Sequence, residues 1–169
     1  MSDKGKKIFL AVTIIGSFLI YSIIYYARVF NDAPFKFTEF KSFVFKYGKG
    51  DSLVNTYNSL TGDYQYINDH DSLIKTNLRL SRADLDSIHR KAADLGFWDF
   101  PSDETNYDTS KLNGVKPMRY YIEFNYKRKS KKVVFDVSFN GDVRLRDANV
   151  QFIKDIKGVL ADAEDKQRK

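Results

Sequence analysis

Residues Ile8–Ala27 read IFLAVTIIGSFLIYSIIYYA and contain no charged side chain. At about 1.5 Å of rise per residue, twenty helical residues span roughly 30 Å, the thickness of the hydrocarbon core of a bilayer. Two lysines, Lys6 and Lys7, stand directly before this run. The stretch therefore predicts a transmembrane anchor over residues 8–30, preceded by a basic tail over residues 1–7 and followed by a domain that stays attached to the membrane.

The end of the apolar run distinguishes an uncleaved anchor from a secretory signal peptide. A signal peptide needs small residues around its cleavage site, whereas this run ends in the aromatic side chains of Tyr21, Tyr25 and Tyr26. Tyrosines in this position are typical of the belt at a membrane–water interface. The sequence therefore favours an uncleaved anchor.

The charges on either side of the run bear on its orientation. Three lysines precede it within seven residues, and the basic residues that follow it are more dispersed: Arg28, Lys36, Lys41 and Lys46. The denser cluster favours a cytoplasmic N-terminus and an extracytoplasmic domain. The totals on the two sides are close, which leaves the opposite orientation open.

Composition limits the classes of protein that the domain can belong to. The chain has 169 residues, no cysteine and a formal net charge of +6. Without its tail and anchor it keeps 24 basic and 21 acidic residues, a balance that argues against nucleic-acid binding. The absence of cysteine excludes disulfides, thiol catalysis and cysteine-ligated metals. Aromatic residues make up 15% of the chain, which favours a sheet-rich core.

Short aromatic and β-branched runs separated by Gly, Asp and Asn follow a candidate tether over residues 31–39. Such runs predict an antiparallel meander, with strands at Phe40–Tyr47, Ser52–Asn58, Tyr64–Ile67 and Ser72–Leu80. A second hairpin is predicted from Arg119–Tyr126 and Lys131–Phe139, with a short further strand at Val143–Leu145 behind the Asn140-Gly141 turn.

Two helices complete the predicted domain, which we place at residues 40–160. The first begins at the N-cap Ser81, with Asp84 in a capping box and Gly96 at its C-terminal end. The second begins at Asp147 or Asn149, and residues 161–169 are expected to fray. The order of elements predicts an α+β fold, in which both helices pack on one face of an antiparallel sheet made of a meander plus a hairpin.

The core pattern resembles that of a loose group of small bacterial envelope domains of uncharacterised function. The resemblance covers residues 43–160 and is carried by Leu80-Ser81, Leu85, Ile88, Leu95-Gly96-Phe97-Trp98, Phe100-Pro101, Tyr121-Ile122 and Lys132-Val133. Members of that group are commonly lipoproteins or membrane-anchored domains. The resemblance implies the fold and an extracytoplasmic location, and it brings no catalytic residues.

Two sets of residues are candidates for chemistry. His70 stands between Asp69 and Asp71. This arrangement fits a metal ligand or a general base, and it also fits an exposed turn without chemistry. The segment Ser102–Pro117 is predicted to be a long polar loop that is acidic in its first half. Its acids are Asp103, Glu104 and Asp108, and Asp99 precedes it. Such a loop fits either weak calcium binding or a flexible segment in solvent. His89 is expected at the edge of the first helix's apolar face.

A cluster of five cations marks the predicted tip of the second hairpin. We name it the basic tip, and its members are Lys127, Arg128, Lys129, Lys131 and Lys132. Such a tip could bind lipid headgroups, acidic polysaccharide or an acidic protein. Charged hairpin tips also serve simply to prevent aggregation at sheet edges.

The sequence therefore predicts a membrane-anchored, extracytoplasmic, non-enzymatic interaction or structural domain, and a subunit of an envelope complex fits this description. Its expected partners are the lipid bilayer and a protein or membrane complex, with no nucleic acid, cofactor or small-molecule substrate inferred. One alternative is a metal-dependent or hydrolytic enzyme that uses His70 with the acidic loop residues. Another is a ligand-sensing or inhibitor domain, whose mark would be an apolar pocket or exposed aromatic patch.

Overall fold

The computed structural model describes residues 3–31, 35–105 and 116–168, which form an α+β protein with three helices and a seven-stranded, mostly antiparallel sheet. The helices are α1 (Asp3–Asn31), α2 (Arg82–Asp94) and α3 (Val143–Gln167). The strands are β1 (Phe40–Lys49), β2 (Ser52–Asn58), β3 (Asp63–Ile67), β4 (Leu73–Asn77), β5 (Asp103–Glu104), β6 (Met118–Tyr126) and β7 (Ser130–Asp136). The chain divides into two compact units, Met1–Phe35 and Lys36–Lys169.

The first unit is the single helix α1. Its segment Asp3–Tyr26 is long and apolar enough to cross a membrane, and none of its most apolar stretch is buried within the protein. Fourteen large apolar or aromatic side chains between Ile8 and Tyr26 are each more than half exposed. The predicted tether at 31–39 contains a short 3-10 turn, Phe37–Glu39, and its residues 32–34 lie outside the described part of the chain.

The sheet of the second unit has the strand order β4-β3-β2-β1-β6-β7-β5. The meander β1 to β4 and the hairpin β6–β7 are confirmed, and β1 joins the two by pairing antiparallel with both β2 and β6. Alternate residues of β6 are buried, from Tyr120 to Tyr126, as the two-residue period of a strand requires. The sheet therefore has one face that forms the core.

Helix α2 begins as predicted. Ser81 is its N-cap and forms a full capping box with Asp84, and Gly96 has φ of 73° in the left-handed region just after the helix. The prediction for His89 is wrong: its ring is buried and contacts the rings of Phe37, Trp98 and Tyr126. The buried face of α2 is wider than the spacing of its aliphatic residues indicates, because aromatic residues from three other segments surround the imidazole of His89.

Helix α3 is longer than predicted at both of its ends. Residues Val143–Leu145 are helical, not a strand, because Asp142 is the N-cap and accepts hydrogen bonds from the backbone of the first turn. Asp147 and Asn149 therefore lie inside the helix and do not cap it. The helix continues to Gln167 and buries Ala163, where a frayed tail over residues 161–169 was expected.

Both helices contact the same face of the sheet. Phe152 of α3 stacks against Phe124 of β6, while His89 of α2 meets Tyr126 two residues further along the same strand. Phe97 lies between the helices and the sheet and touches both Phe124 and Phe152. The abundant aromatic residues thus form the core, because buried rings supply large apolar area and favourable edge contacts.

Candidate functional site

The basic tip is a real hairpin turn, but its five cations do not form one surface. Residues on a strand alternate between the two faces of a sheet, and Lys131 shares the core-facing parity of the buried Val133. Its ammonium group donates to the carbonyl oxygen of Phe100. Lys132 points to the other face, where it is paired across the strands with Glu123. The exposed part of the tip is therefore smaller than the sequence indicates.

The partial burial of Lys131 affects its pKa. Desolvation lowers the pKa of this ammonium group, while the nearby carboxylates of Asp99 and Glu104 oppose the change. The hydrogen bond from Lys131 to Phe100 joins β7 to the segment after α2.

The remaining three cations of the basic tip form the turn between β6 and β7. The backbone N–H of Lys127 donates to the carbonyl oxygen of Glu39 at 2.9 Å, and the guanidinium of Arg128 pairs with the Glu39 carboxylate. This ion pair lowers the pKa of Glu39 through the hydrogen bond from Arg128. The turn is therefore attached to the short segment through which the chain enters the domain.

His70 and the acidic loop residues are not brought together. His70 lies exposed in the turn between β3 and β4, at one edge of the sheet, whereas Asp103 belongs to β5 at the opposite edge. Six strand spacings of about 4.8 Å separate such edges by roughly 29 Å. Across residues 3–31, 35–105 and 116–168, no three ligand-type side chains cluster to hold a metal. Asp108 lies outside these ranges.

The neighbouring acids of the loop have different environments. Asp99 is exposed, and the exposed carboxylate of Asp103 accepts hydrogen bonds from the backbone and hydroxyl of Thr105. Glu104 is 1% exposed, because β5 pairs in parallel with β7 and turns adjacent residues to opposite sides. The hypothesis of a shared calcium or catalytic site has no geometric basis among these three acids.

Glu104 is a titratable group whose burial differs from the exposure that its polar sequence context indicates. Burial raises its pKa to about 7, against the opposing effects of a hydrogen bond from Asn149 and the charge of Lys131. A carboxyl group that titrates near neutrality is a common property of functional sites. The sequence names Glu104 among the loop acids but does not predict its burial, because a two-residue strand leaves no pattern within a polar segment.

A second buried carboxyl group lies at the same end of β7, since Glu104 is in register with Phe135 and Asp136 follows directly. The Asp136 carboxylate is 0% exposed and accepts hydrogen bonds from Arg119 Nε at 2.7 Å and Nη2 at 3.0 Å. The two residues are directly opposite each other on β6 and β7. Arg119 also pairs with Asp51 in the turn between β1 and β2. This bidentate pair joins β6 and β7 at the open end of the hairpin.

The surface features expected of a ligand-sensing domain are limited in the described part of the chain. A groove of about 450 Å³ lies at the turn between β1 and β2 and is lined in part by Tyr47, Val54, Ile67 and Met118. On the outer face of the sheet, Tyr121 carries the ammonium of Lys46 over its ring and donates its hydroxyl to Glu123. The hydroxyl and the ring face of Tyr121 thus already contact neighbouring side chains.

Comparison with known proteins adds no functional assignment. No protein-family model matches the chain, and no curated protein matches it. The resemblance to bacterial envelope domains stays a prediction.

Proposed function

We propose that this chain is a single-pass membrane protein whose α+β domain is a non-enzymatic interaction module. The observation that carries the anchor is the exposed apolar surface of α1. Each of its fourteen large side chains would leave most of its area in water, at a cost of about 25 cal/mol for each Å² of apolar surface. A bilayer removes that cost, and the length of Asp3–Tyr26 fits the hydrocarbon core.

The orientation that we propose has a cytoplasmic N-terminus and an extracytoplasmic domain. The lysines directly before the apolar stretch support it through the positive-inside rule. The resemblance of residues 43–160 to envelope domains supports the same side. The domain then presents its exposed turns to a protein partner or a membrane complex.

Membrane insertion is tested with the full chain by alkaline extraction of membranes. We expect the wild-type chain to stay in the membrane pellet with its first thirty residues intact by mass. Replacing Ile15 near the centre of the span by Lys should release much of the chain, because a lysine there costs about 3 kcal/mol. Lys154→Ile on the exposed side of α3 is the control and should leave the distribution unchanged. A wild-type chain that is extracted, or that has lost residues 1–27, would contradict the anchor.

The absence of cysteine offers a direct test of orientation. Ser102 is exposed, so Ser102→Cys places a single thiol on the domain. A membrane-impermeant maleimide should label it in intact cells. Labelling only after lysis would reverse the orientation and leave the anchor in place.

The interaction role is tested by purification from solubilised membranes. An interaction module should bring a partner in constant proportion to itself, and that proportion should fall when exposed turns of the domain are substituted. A chain that purifies alone at all detergent and salt conditions would contradict the role.

A further inference from the structure

The two ends of the sheet carry opposite charges. We call the entry end the set of connections beside the start of β1, which comprises residues 36–39, 59–62, 78–81 and 127–129. We call the far end the set at the opposite ends of the strands, which comprises residues 50–51, 68–72, 116–117 and 137–142. Strand directions and registers assign each connection to its end.

The asymmetry is large for a domain whose total charge is small. In these connections the entry end has five basic residues and one acid: Lys36, Arg79, Lys127, Arg128, Lys129 and Glu39. The far end has one basic residue and four acids: Lys116, Asp51, Asp69, Asp71 and Asp142. The excess positive charge of the domain is therefore concentrated where the chain enters it.

Two residues of the entry end, Phe37 and Glu39, contact basic residues from other parts of the sequence. Arg128 pairs with Glu39, and the Lys127 backbone bonds to the same residue. At the start of α2, the guanidinium of Arg82 lies 5.4 Å from the centre of the Phe37 ring. The segment Phe37–Glu39 thus contacts both the β6–β7 turn and the start of α2, so that cations from separate parts of the sequence lie at the same end of the domain.

Chain length limits the distance of this surface from the bilayer. Helix α1 ends at Asn31 and the domain begins at Lys36. The helical residues from Tyr26 to Asn31 add about 7 Å, and the five residue steps from Asn31 to Lys36 add at most about 18 Å. The distance from the end of the span at Tyr26 to Lys36 is therefore at most roughly 25 Å. Within the domain, the far end is separated from the entry end by the length of β1, which is about 33 Å for ten residues. The covalent chain therefore limits the distance between Lys36, at the entry end, and the end of the membrane-spanning segment, and it sets a looser limit for the far end.

We propose that the entry end binds the anionic headgroups of the bilayer that holds α1. The inference rests on the proposed anchor and holds for either orientation, because the tether has the same length on both sides. Lysine and arginine side chains near a lipid surface are attracted to phosphate groups. The acidic far end is repelled from the same surface, so the two ends together would orient the domain.

The experiment uses the full chain reconstituted in vesicles, with a fluorophore on one introduced cysteine. Leu60→Cys reports on the entry end, since Leu60 is 73% exposed in the turn between β2 and β3. His70→Cys reports on the far end from the turn between β3 and β4. The quencher is a nitroxide on a lipid headgroup, in vesicles of phosphatidylcholine alone or with about one-third phosphatidylglycerol. Flotation of the vesicles shows separately whether the chain is anchored.

We expect stronger quenching at residue 60 than at residue 70 in the anionic vesicles. The difference in quenching between the two labels should shrink at least twofold in neutral vesicles. It should shrink equally in anionic vesicles when salt rises from about 0.1 M to about 1 M, because the Debye length falls from roughly 10 Å to 3 Å. Neither comparison depends on a substitution in the basic surface, so both remain decisive if a variant fails to fold.

A charge-reversed variant adds a residue-level test. Arg79→Glu, Lys127→Glu and Lys129→Glu should together remove the difference between the two labels, and Arg128 is kept because it pairs with Glu39. The control with the same net charge is Lys49→Glu, Lys75→Glu and Lys154→Glu, all exposed and outside the entry end, and it should keep the difference.

The outcomes separate this inference from the anchor. A chain that does not float with vesicles contradicts the proposed anchor. A chain that floats, with quenching that is equal at the two labels or independent of lipid charge, overturns the headgroup inference alone. That second result would mean that the basic surface binds an acidic protein or is simply exposed to solvent.

Discussion

Asn149 on α3 donates a hydrogen bond from Nδ2 to Oε2 of Glu104 on β5 at 2.6 Å, inside the protein. The second proton of Nδ2 bonds to the carbonyl oxygen of Leu145 at 3.0 Å, which fixes the orientation of the amide. The remaining oxygens, Glu104 Oε1 and Asn149 Oδ1, are both buried and have no partner among the described residues. A proton on the carboxyl group would supply the missing donor, so the neutral acid suits this position.

Stability should therefore fall as the pH rises toward 7. The pKa of Glu104 is about 7 in the folded chain, against an ordinary value of 4.5. The folded state keeps a proton that the unfolded chain releases, so unfolding becomes easier between pH 4.5 and 7 and levels off above that. Across this pH range the free energy of unfolding should fall by about 3 kcal/mol. Urea unfolding of the detergent-solubilised chain between pH 5 and 8 measures it.

Glu104→Gln should remove most of this pH dependence, because an amide keeps a donor at every pH. It should also be more stable than the wild type at pH 8 by on the order of 2 to 3 kcal/mol. Asp162→Asn on the exposed side of α3 is the control and should keep the wild-type slope. A wild-type profile as flat as that of the glutamine variant would contradict a raised pKa.

The two partners of Arg119 should differ sharply in importance. Asp136 is fully buried, whereas the side chain of Asp51 is 89% exposed. Arg119→Ala leaves the Asp136 carboxylate buried without its partner, which costs about 3 to 5 kcal/mol. Asp51→Ala removes an exposed pair and should cost less than about 0.5 kcal/mol. Equal losses of unfolding free energy in the two variants would disprove the difference.

Local patterns were enough to predict most of the fold. Alternating aromatic residues give β1 and β6, and the capping residues Ser81 and Asp84 give α2. The Asn140-Gly141 turn misled the prediction at Val143, because the same residues that end a hairpin also lead into the helix N-cap at Asp142. Strand β5 was missed, since two residues form a strand only where β7 offers its edge.

The site predictions fell short because they depend on which face a side chain takes. Lys131 and Lys132 are adjacent in sequence, yet one bonds to Phe100 and the other lies opposite Glu123. The pairing of the basic tip with Glu39 joins positions 89 residues apart, which no local pattern records. Buried pairs such as Glu104 with Asn149 have the same long-range origin.

The N-cap of α2 should contribute measurably to stability. Ser81 Oγ accepts from the backbone N–H of Asp84 at 3.1 Å and donates to its carboxylate at 2.6 Å. Ser81→Ala should lower the unfolding free energy by about 1 kcal/mol. The pKa of Asp84, lowered mainly by that hydroxyl, should move back toward its ordinary value. Ser87→Ala inside the same helix is the control, and an equal loss there would assign the effect to a general loss of hydroxyl groups.

Two glycines should respond in opposite directions to the same change. A Cβ on Gly48 would lie 1.9 Å from the carbonyl oxygen of Ser52, at the register irregularity between β1 and β2. Gly48→Ala must displace this backbone, and overpacking of that kind costs about 1 to 3 kcal/mol. Gly158 lies within α3, and a Cβ there meets nothing within 4 Å. Gly158→Ala should stabilise the chain by about 0.5 to 1 kcal/mol, because glycine is a poor helix former. The midpoints of urea unfolding should therefore move apart, and a shift of both in one direction would contradict either the tight approach at Gly48 or the open space at Gly158.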